Sequence, residues 1–164
     1  MDLKAHIRGI PDFPIPGILF YDISTILSNP SALEYAVTAM EEKISAWQPD
    51  IIAGIESRGF LFATPLALRM GLPMMMIRKA GKLPGEVVSY EYDLEYGTDT
   101  IQIQADAIQA GQKVVIVDDL LATGGTLEAS IKLCQKVGGE VVGCTVVIEL
   151  DFLSGRNNLS VPCK

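Results

Sequence analysis

A single histidine, a single tryptophan and only three cysteines occur in 164 residues. One histidine cannot build a histidine-rich metal cluster, and His6 lies in a polar N-terminal arm where it reads as a surface residue without a role. Cys134, Cys144 and Cys163 are odd in number and lack metal-ligand spacing, so neither a disulfide framework nor a zinc site is expected. Cys134 and Cys144 fall in buried helix and strand patterns and read as free core thiols. The six methionines, Met74 to Met76 among them, read as strand packing rather than as a metal site. There is no apolar run of the roughly 20 residues a membrane helix needs and no N-terminal signal, which predicts a cytoplasmic protein without a membrane partner. Basic residues are also few, 13 Lys and Arg against 20 Asp and Glu, a net charge of -7. That balance argues against nucleic acid as the main partner and requires any phosphate-binding cations to be concentrated locally. No repeat, low-complexity tract or linker divides the chain. A single domain spanning residues 1–164 is expected, large enough for one core to bury roughly two thirds of the unfolded surface.

What the chain does contain is an alternation of helix and strand patterns. Ser31 and Glu34 form a capping-box pattern after Pro30, and Leu33, Val37, Met40, Ile44 and Trp47 follow at helical spacing. Residues 51–55 read as a strand, 59–70 as a helix stopped near Gly71, and 74–77 as another strand. Residues 114–117 are a short apolar run suited to a strand covered on both faces. Leu127, Ile131, Cys134 and Val137 then mark a helix ended by Gly138 and Gly139, and residues 141–150 return to strand. These units predict an α/β fold, a doubly wound, mostly parallel sheet with flanking helices. Residues 87–92 and 100–104 alternate with a period of two, which predicts an antiparallel flap beside the main sheet, with residues 80–104 mobile. Ligands of such sheets bind beyond the carboxyl ends of the strands, and three strand ends here carry charged or small polar groups that should face one cleft.

The most informative stretch is VVIVDDLLATGGT, residues 114–126: a strand ending in two carboxylates, then a turn of small residues opening a helix. Ala122, Thr123, Gly124, Gly125 and Thr126 are small enough for successive backbone N–H groups to converge on a phosphate. Asp118 and Asp119 repel phosphate but accept hydrogen bonds from hydroxyls. A sugar phosphate with vicinal hydroxyls, such as a ribose 5-phosphate, satisfies both halves. An acidic pair at a strand end also suits a receiver-type pocket or a Rossmann turn, but the loop lacks both the Lys of a Walker A loop and the GxGxxG spacing. Elsewhere, Arg58 follows Glu56 and Ser57 at a strand end where its guanidinium can fork onto phosphate oxygens. RKAGKLPG, residues 78–85, gathers Arg78, Lys79 and Lys82 among glycine and proline, either as a solvated basic hairpin or as a pyrophosphate site. Residues 10–24, IPDFPIPGILFYDIS, show neither helix nor strand periodicity and suit a rigid hood over a flat apolar ligand or an arm packed on the sheet.

The run VVIVDDLLATGGT resembles the 5-phosphoribosyl 1-pyrophosphate (PRPP) motif of the type I phosphoribosyltransferases. IESRGF resembles the pyrophosphate loop of the adenine phosphoribosyltransferases, in which the peptide before the Ser is cis, so a cis bond is predicted between Glu56 and Ser57. IPDFPIPGILFYDIS resembles their adenine-binding hood, with residues 1–30 as hood and arm, and SYEYDLEYGTDTI their flap. The resemblance implies that Phe20 and Leu120 sandwich adenine while Leu19 and Tyr21 read its edge through their backbones. Many relatives carry Arg or Lys where Tyr21 stands. It further implies that Asp118 and Asp119 hold the ribose, that Arg58, Arg78, Lys79, Lys82 and Mg²⁺ meet the pyrophosphate, with the metal held through PRPP and water, and that Glu95 acts as general acid/base beside Tyr96 in the flap. The expected reaction is adenine and PRPP giving AMP and pyrophosphate through an oxocarbenium-like transition state, in a homodimer whose Arg78 and Lys82 serve a neighbour's site. The alternatives are a xanthine or hypoxanthine enzyme and a non-catalytic PRPP-sensing regulatory domain. Relatives usually continue past the GRNNLSVPC segment into another short strand, so an uncovered sheet edge is a further expectation.

Overall fold

Strands covered on both faces need unbroken apolar runs, and the runs read from the sequence lie side by side in the computed structural model, which describes residues 1–94 and 96–164. The chain divides into two compact units, residues 1–39 and residues 40–164.

In the N-terminal unit, a 3-10 turn at Leu3–His6 precedes strand β1 (Arg8–Pro11), which pairs antiparallel with β2 (Leu19–Asp22). This corrects the reading of residues 10–24 as free of strand structure: each strand has four residues and prolines interrupt the alternation, too little for a period of two to register. The Phe13–Pro14 peptide in the connecting loop is cis. Asp12 Oδ1 accepts the Gly17 N–H at 2.7 Å, and the Phe13 and Phe20 rings meet edge to face at 5.1 Å. Arg8 pairs with Asp22 across the ribbon. Helix α1 (Ser24–Leu27) follows.

Helix α2 (Pro30–Ile44) buries Ala32, Ala36, Val37, Met40 and Ile44, close to the expected stripe, and Trp47 falls in a 3-10 turn beyond its end. The capping box is corrected. Asn29 Oδ1 accepts the N–H groups of Ser31 and Ala32, both at 3.1 Å, which makes Pro30 the first helical residue, the position where its missing N–H costs nothing.

The larger unit is a six-stranded sheet in the order β5-β6-β4-β3-β7-β8, formed by β3 (Ile51–Ile55), β4 (Met74–Lys79), β5 (Val87–Asp93), β6 (Thr98–Gln104), β7 (Lys113–Leu121) and β8 (Glu140–Glu149). β4, β3, β7 and β8 run parallel, with helices α3 (Gly59–Met70) after β3 and α4 (Gly125–Lys136) after β7. This is the expected mostly parallel α/β sheet with flanking helices. The β5/β6 hairpin pairs antiparallel over seven residue pairs and joins the parallel part at Arg78↔Gln102 and Lys79↔Ile101. The main correction concerns β7: the strand does not end at Val117 but carries Asp118 to Leu121 in register with β8. On the other edge of β8, Cys144 N–H bonds to Pro162 O at 2.9 Å and Val146 N–H to Lys164 O at 3.0 Å, so residues 162–164 cover the edge expected to be bare. The core of this unit gathers Ile55, Ile77, Ile116 and Leu121 from the sheet with Leu127, Ile131 and Leu133 from α4. Among the described residues, no helix is long and apolar enough to cross a membrane.

Candidate active site

Register brings the chemistry together. Gly54 pairs with Val117 and Ile55 with Ile77, so the residues that follow, Glu56, Arg78 and the Asp118–Asp119 pair, emerge from three adjacent parallel strands at one level. Their side chains line a cavity of about 460 Å³ together with Ser57, Arg58, Lys79, Tyr92, Leu94, Asp99 and Thr126. A second hollow of about 210 Å³, bounded by Arg58 and residues 118–127, shares Arg58, Asp118, Asp119 and Thr126 with the first. The predicted common cleft and the predicted cup are therefore neighbours with a shared wall.

The strand β3 turn is built for close approach. The Glu56–Ser57 peptide is cis, as predicted. A Cβ on Gly59 would lie 2.7 Å from Val117 O, so only glycine lets the first turn of α3 rest on β7 where the aspartates begin. Arg58 precedes that helix and its Nε stands 2.8 Å from Asp119 Oδ2. Asp118 accepts the Asp119 N–H at 2.8 Å. Burial, reinforced by the neighbouring Asp119 charge, pushes the Asp118 carboxyl up to about 8.

The cations of β4 are also matched by carboxylates. Glu56 accepts from Arg78 Nη2 at 3.1 Å, from Arg78 Nε at 3.3 Å and from the Lys79 N–H at 2.9 Å, and the Arg78 contact holds its carboxyl below the usual range. Lys79 Nζ donates to Asp99 Oδ2 at 2.6 Å, which lowers the Asp99 carboxyl and raises the Lys79 ammonium. Tyr92, opposite Asp99 in the hairpin register, places its hydroxyl 3.3 Å from Thr126 Oγ1.

The phosphate-loop candidates divide between two elements. Ala122, Thr123 and Gly124 form the turn, Gly124 with φ +88°, while Gly125 and Thr126 are the first residues of α4. Leu120 lines the smaller hollow from β7. Lys82 does not line either cavity; it is exposed, and its carbonyl accepts from Arg78 Nη1 at 3.3 Å. Tyr96 is 87% exposed and lines neither cavity. Glu95 lies outside the described residues. Leu19, Phe20 and Tyr21 form β2 of the N-terminal unit. Glu56, Tyr92 and Asp99 were missed as site residues. For Asp99 a signal existed, since strand alternation puts it on the same face as Ile101 within the predicted flap.

A sheet with paired acids in the last stretch of one strand, a loop of small residues separated from them by two residues and cations near two neighbouring strand ends is the architecture of a phosphoribosyltransferase, and the model of the phosphoribosyl transferase domain family matches residues 22–158. The relatives narrow the class. The adenine phosphoribosyltransferase of Gluconacetobacter diazotrophicus is 61% identical over 99% of this chain and 92% of its own. The crystal structure of the enzyme of that name from Thermoanaerobacter pseudethanolicus superposes with a TM-score of 0.96 at 48% identity, covering 99% of this chain and 95% of the other. The Saccharomyces cerevisiae adenine phosphoribosyltransferase, complexed with an imino-altritol bisphosphate and adenine, gives 0.94 at 42% identity over 99% and 95% of the two chains. The chain belongs to the adenine phosphoribosyltransferase family.

Proposed function

We propose that this protein converts adenine and PRPP to AMP and pyrophosphate. The observation that carries the reading is the shared wall: a cup of backbone amides at residues 122–126 opens beside paired aspartates and a cation-lined cleft, the order in which PRPP presents its 5-phosphate, its diol and its pyrophosphate. The complex of the yeast relative with an imino-altritol bisphosphate and adenine supports a sugar phosphate and adenine as the ligands.

In this reading Thr123 to Thr126 grip the 5-phosphate with the N-terminus of α4. Asp118 and Asp119 accept from the ribose hydroxyls and, as carboxylates, Asp118 once it has released the proton that burial holds on it, favour the positive charge that grows on the ring as the bond from the anomeric carbon to pyrophosphate lengthens. Adenine N9 forms the new bond at that carbon, and the bond electrons leave with pyrophosphate toward Arg58, Arg78 and Lys79. Glu95 manages the purine proton near N7. Phe20 and Leu120 stack on the base, with Leu19 and Tyr21 reading its edge, residues 1–30 acting as hood and residues 80–104 as a closing flap that excludes water. Lys82 and Tyr96 join when the flap is closed.

Mg²⁺ is proposed as an ion borne by the ligand and held through PRPP and water, a shell of oxygens that suits it. It would neutralise the departing pyrophosphate. A homodimer is part of the proposal, supported by Leu61 and Leu68 standing 43% and 82% exposed on α3. The cytoplasm is the proposed location, since PRPP and AMP are too highly charged to cross a membrane unaided.

The test is an assay with PRPP and Mg²⁺ in which adenine, hypoxanthine and xanthine compete. AMP with an equal amount of pyrophosphate, formed from adenine in preference to both oxopurines, is the expected result. A preference for a 6-oxopurine, or PRPP binding without turnover, overturns it.

A further inference from the structure

We propose that the C-terminal turn Gly155–Asn158 is a brace that sets the direction of two amides in the phosphate loop, and that Asn158 is a positioning residue for the 5-phosphate. The inference rests on the function proposed above and adds a residue 35 positions away from the loop it serves.

Three contacts define the brace. Asn158 Nδ2 donates to Thr123 O at 2.8 Å; a carbonyl can only accept, so the amide nitrogen is the partner and the side chain is oriented without ambiguity. A Cβ on Gly155 would collide with Ala122 O, and one on Gly124 would lie 2.6 Å from Gly155 O, so the two backbones touch where neither tolerates a side chain. Gly155 is buried although it lies in a 3-10 turn on the surface, which is what such a contact requires.

The peptide plane turns these contacts into a statement about donors. In a trans peptide the N–H points opposite to the C=O of the same unit. With Ala122 O against Gly155, the Thr123 N–H faces away from the turn, and with Thr123 O held by Asn158, so does the Gly124 N–H. Away from the turn lies the 210 Å³ hollow, whose lining includes Thr123 and Gly124 but neither Gly155 nor Asn158. Gly124, at φ +88°, has access to a wide range of backbone angles, so without the brace the Thr123–Gly124 peptide is free to rotate, whereas the Gly124–Gly125 peptide is held by the helix through Glu128 N–H on Gly124 O at 2.9 Å. The brace is itself anchored: Arg156 is paired with Glu149 and donates to Cys163 O, and Glu128 of α4 accepts from Ser160 N–H at 2.9 Å and Ser160 Oγ at 3.0 Å.

The test measures ribose 5-phosphate, pyrophosphate and adenine binding by calorimetry in the full chain and in Asn158→Ala, with Asn158→Ser, which keeps a shorter donor, as the second variant if the first does not fold. The expected result is an increase of about five- to tenfold in the dissociation constant for ribose 5-phosphate, smaller in Asn158→Ser, with pyrophosphate and adenine unchanged. The Michaelis constant for PRPP should rise by the same factor while turnover at saturation holds. A lowered melting temperature with unaltered ribose 5-phosphate binding overturns the brace alone. Failure of the unsubstituted chain to bind ribose 5-phosphate overturns the function and the brace together.

Discussion

Arg58 Nε lies 2.8 Å from Asp119 Oδ2, so a cation proposed for the leaving pyrophosphate is paired with a carboxylate proposed for the ribose. The same arrangement recurs at Arg78 with Glu56 and at Lys79 with Asp99. The cleft of a chain with net charge -7 thus balances its own cations, and an anionic ligand must compete with each carboxylate for its partner. Such competition costs binding energy but keeps three cations of one cleft from repelling one another.

Asp118 gives the clearest pH signature. Its carboxyl titrates at 3.8 in the unfolded chain and at about 8 in the fold, because it is buried beside Asp119. Between those values the folded chain keeps a proton that the unfolded chain has released, so stability falls as pH rises through that window and the loss is complete above about 8. Asp118→Asn removes the effect. It should melt several degrees above the unsubstituted protein near pH 8, and the two should converge near pH 4. Equal melting temperatures near pH 8 would contradict the burial argument.

Glu56 holds Arg78 and the Lys79 amide together. Glu56→Gln keeps the shape and loses the charged fork, so the Michaelis constant for PRPP should rise by about tenfold with a smaller change in turnover. Initial rates against PRPP concentration decide; an unchanged Michaelis constant removes Glu56 from the site.

Glu95→Gln should act on the other parameter. As the proposed acid/base it should lower turnover while PRPP affinity, measured by calorimetry, stays near that of the unsubstituted chain. Full activity in this variant ends the assignment.

Thr145, fully buried in β8, has a side-chain oxygen without a hydrogen-bond partner among the described residues. Thr145→Val replaces the orphaned hydroxyl by a methyl of similar size and should stabilise the fold by about 1 kcal/mol, raising the melting temperature by roughly 2–4 °C. A lower melting temperature would show that the hydroxyl has a partner, such as a buried water.

The sheet was legible because apolar runs and helical stripes are local signals: residues 51–55, 59–70 and 74–77 read directly as β3, α3 and most of β4. The end of β7 was not, since Asp118 and Asp119 interrupt the apolar run while β8 still supplies its ladder. Asn29 displaced the expected cap because a side chain two residues earlier offers the same bond. In the site, the motif residues were legible one strand end at a time. The pairings were not: Glu56 with Arg78 spans 22 residues and Asp99 with Lys79 spans 20, and only register brings such residues together. Asn158 carried no signal of its own, as an asparagine in a polar turn is ordinary until its neighbour is known.

Lys79 sits where the parallel sheet ends and the hairpin begins. Its backbone pairs with Ile101, its amide holds Glu56 and its ammonium holds Asp99. An anion bound at this ammonium would compete with Asp99, which pairs with Tyr92 one residue pair from the Asp93↔Thr98 end of the hairpin. One lysine thus ties three pieces of the cleft together: β6 through its backbone, the end of β3 through Glu56, and the hairpin's outer half through Asp99.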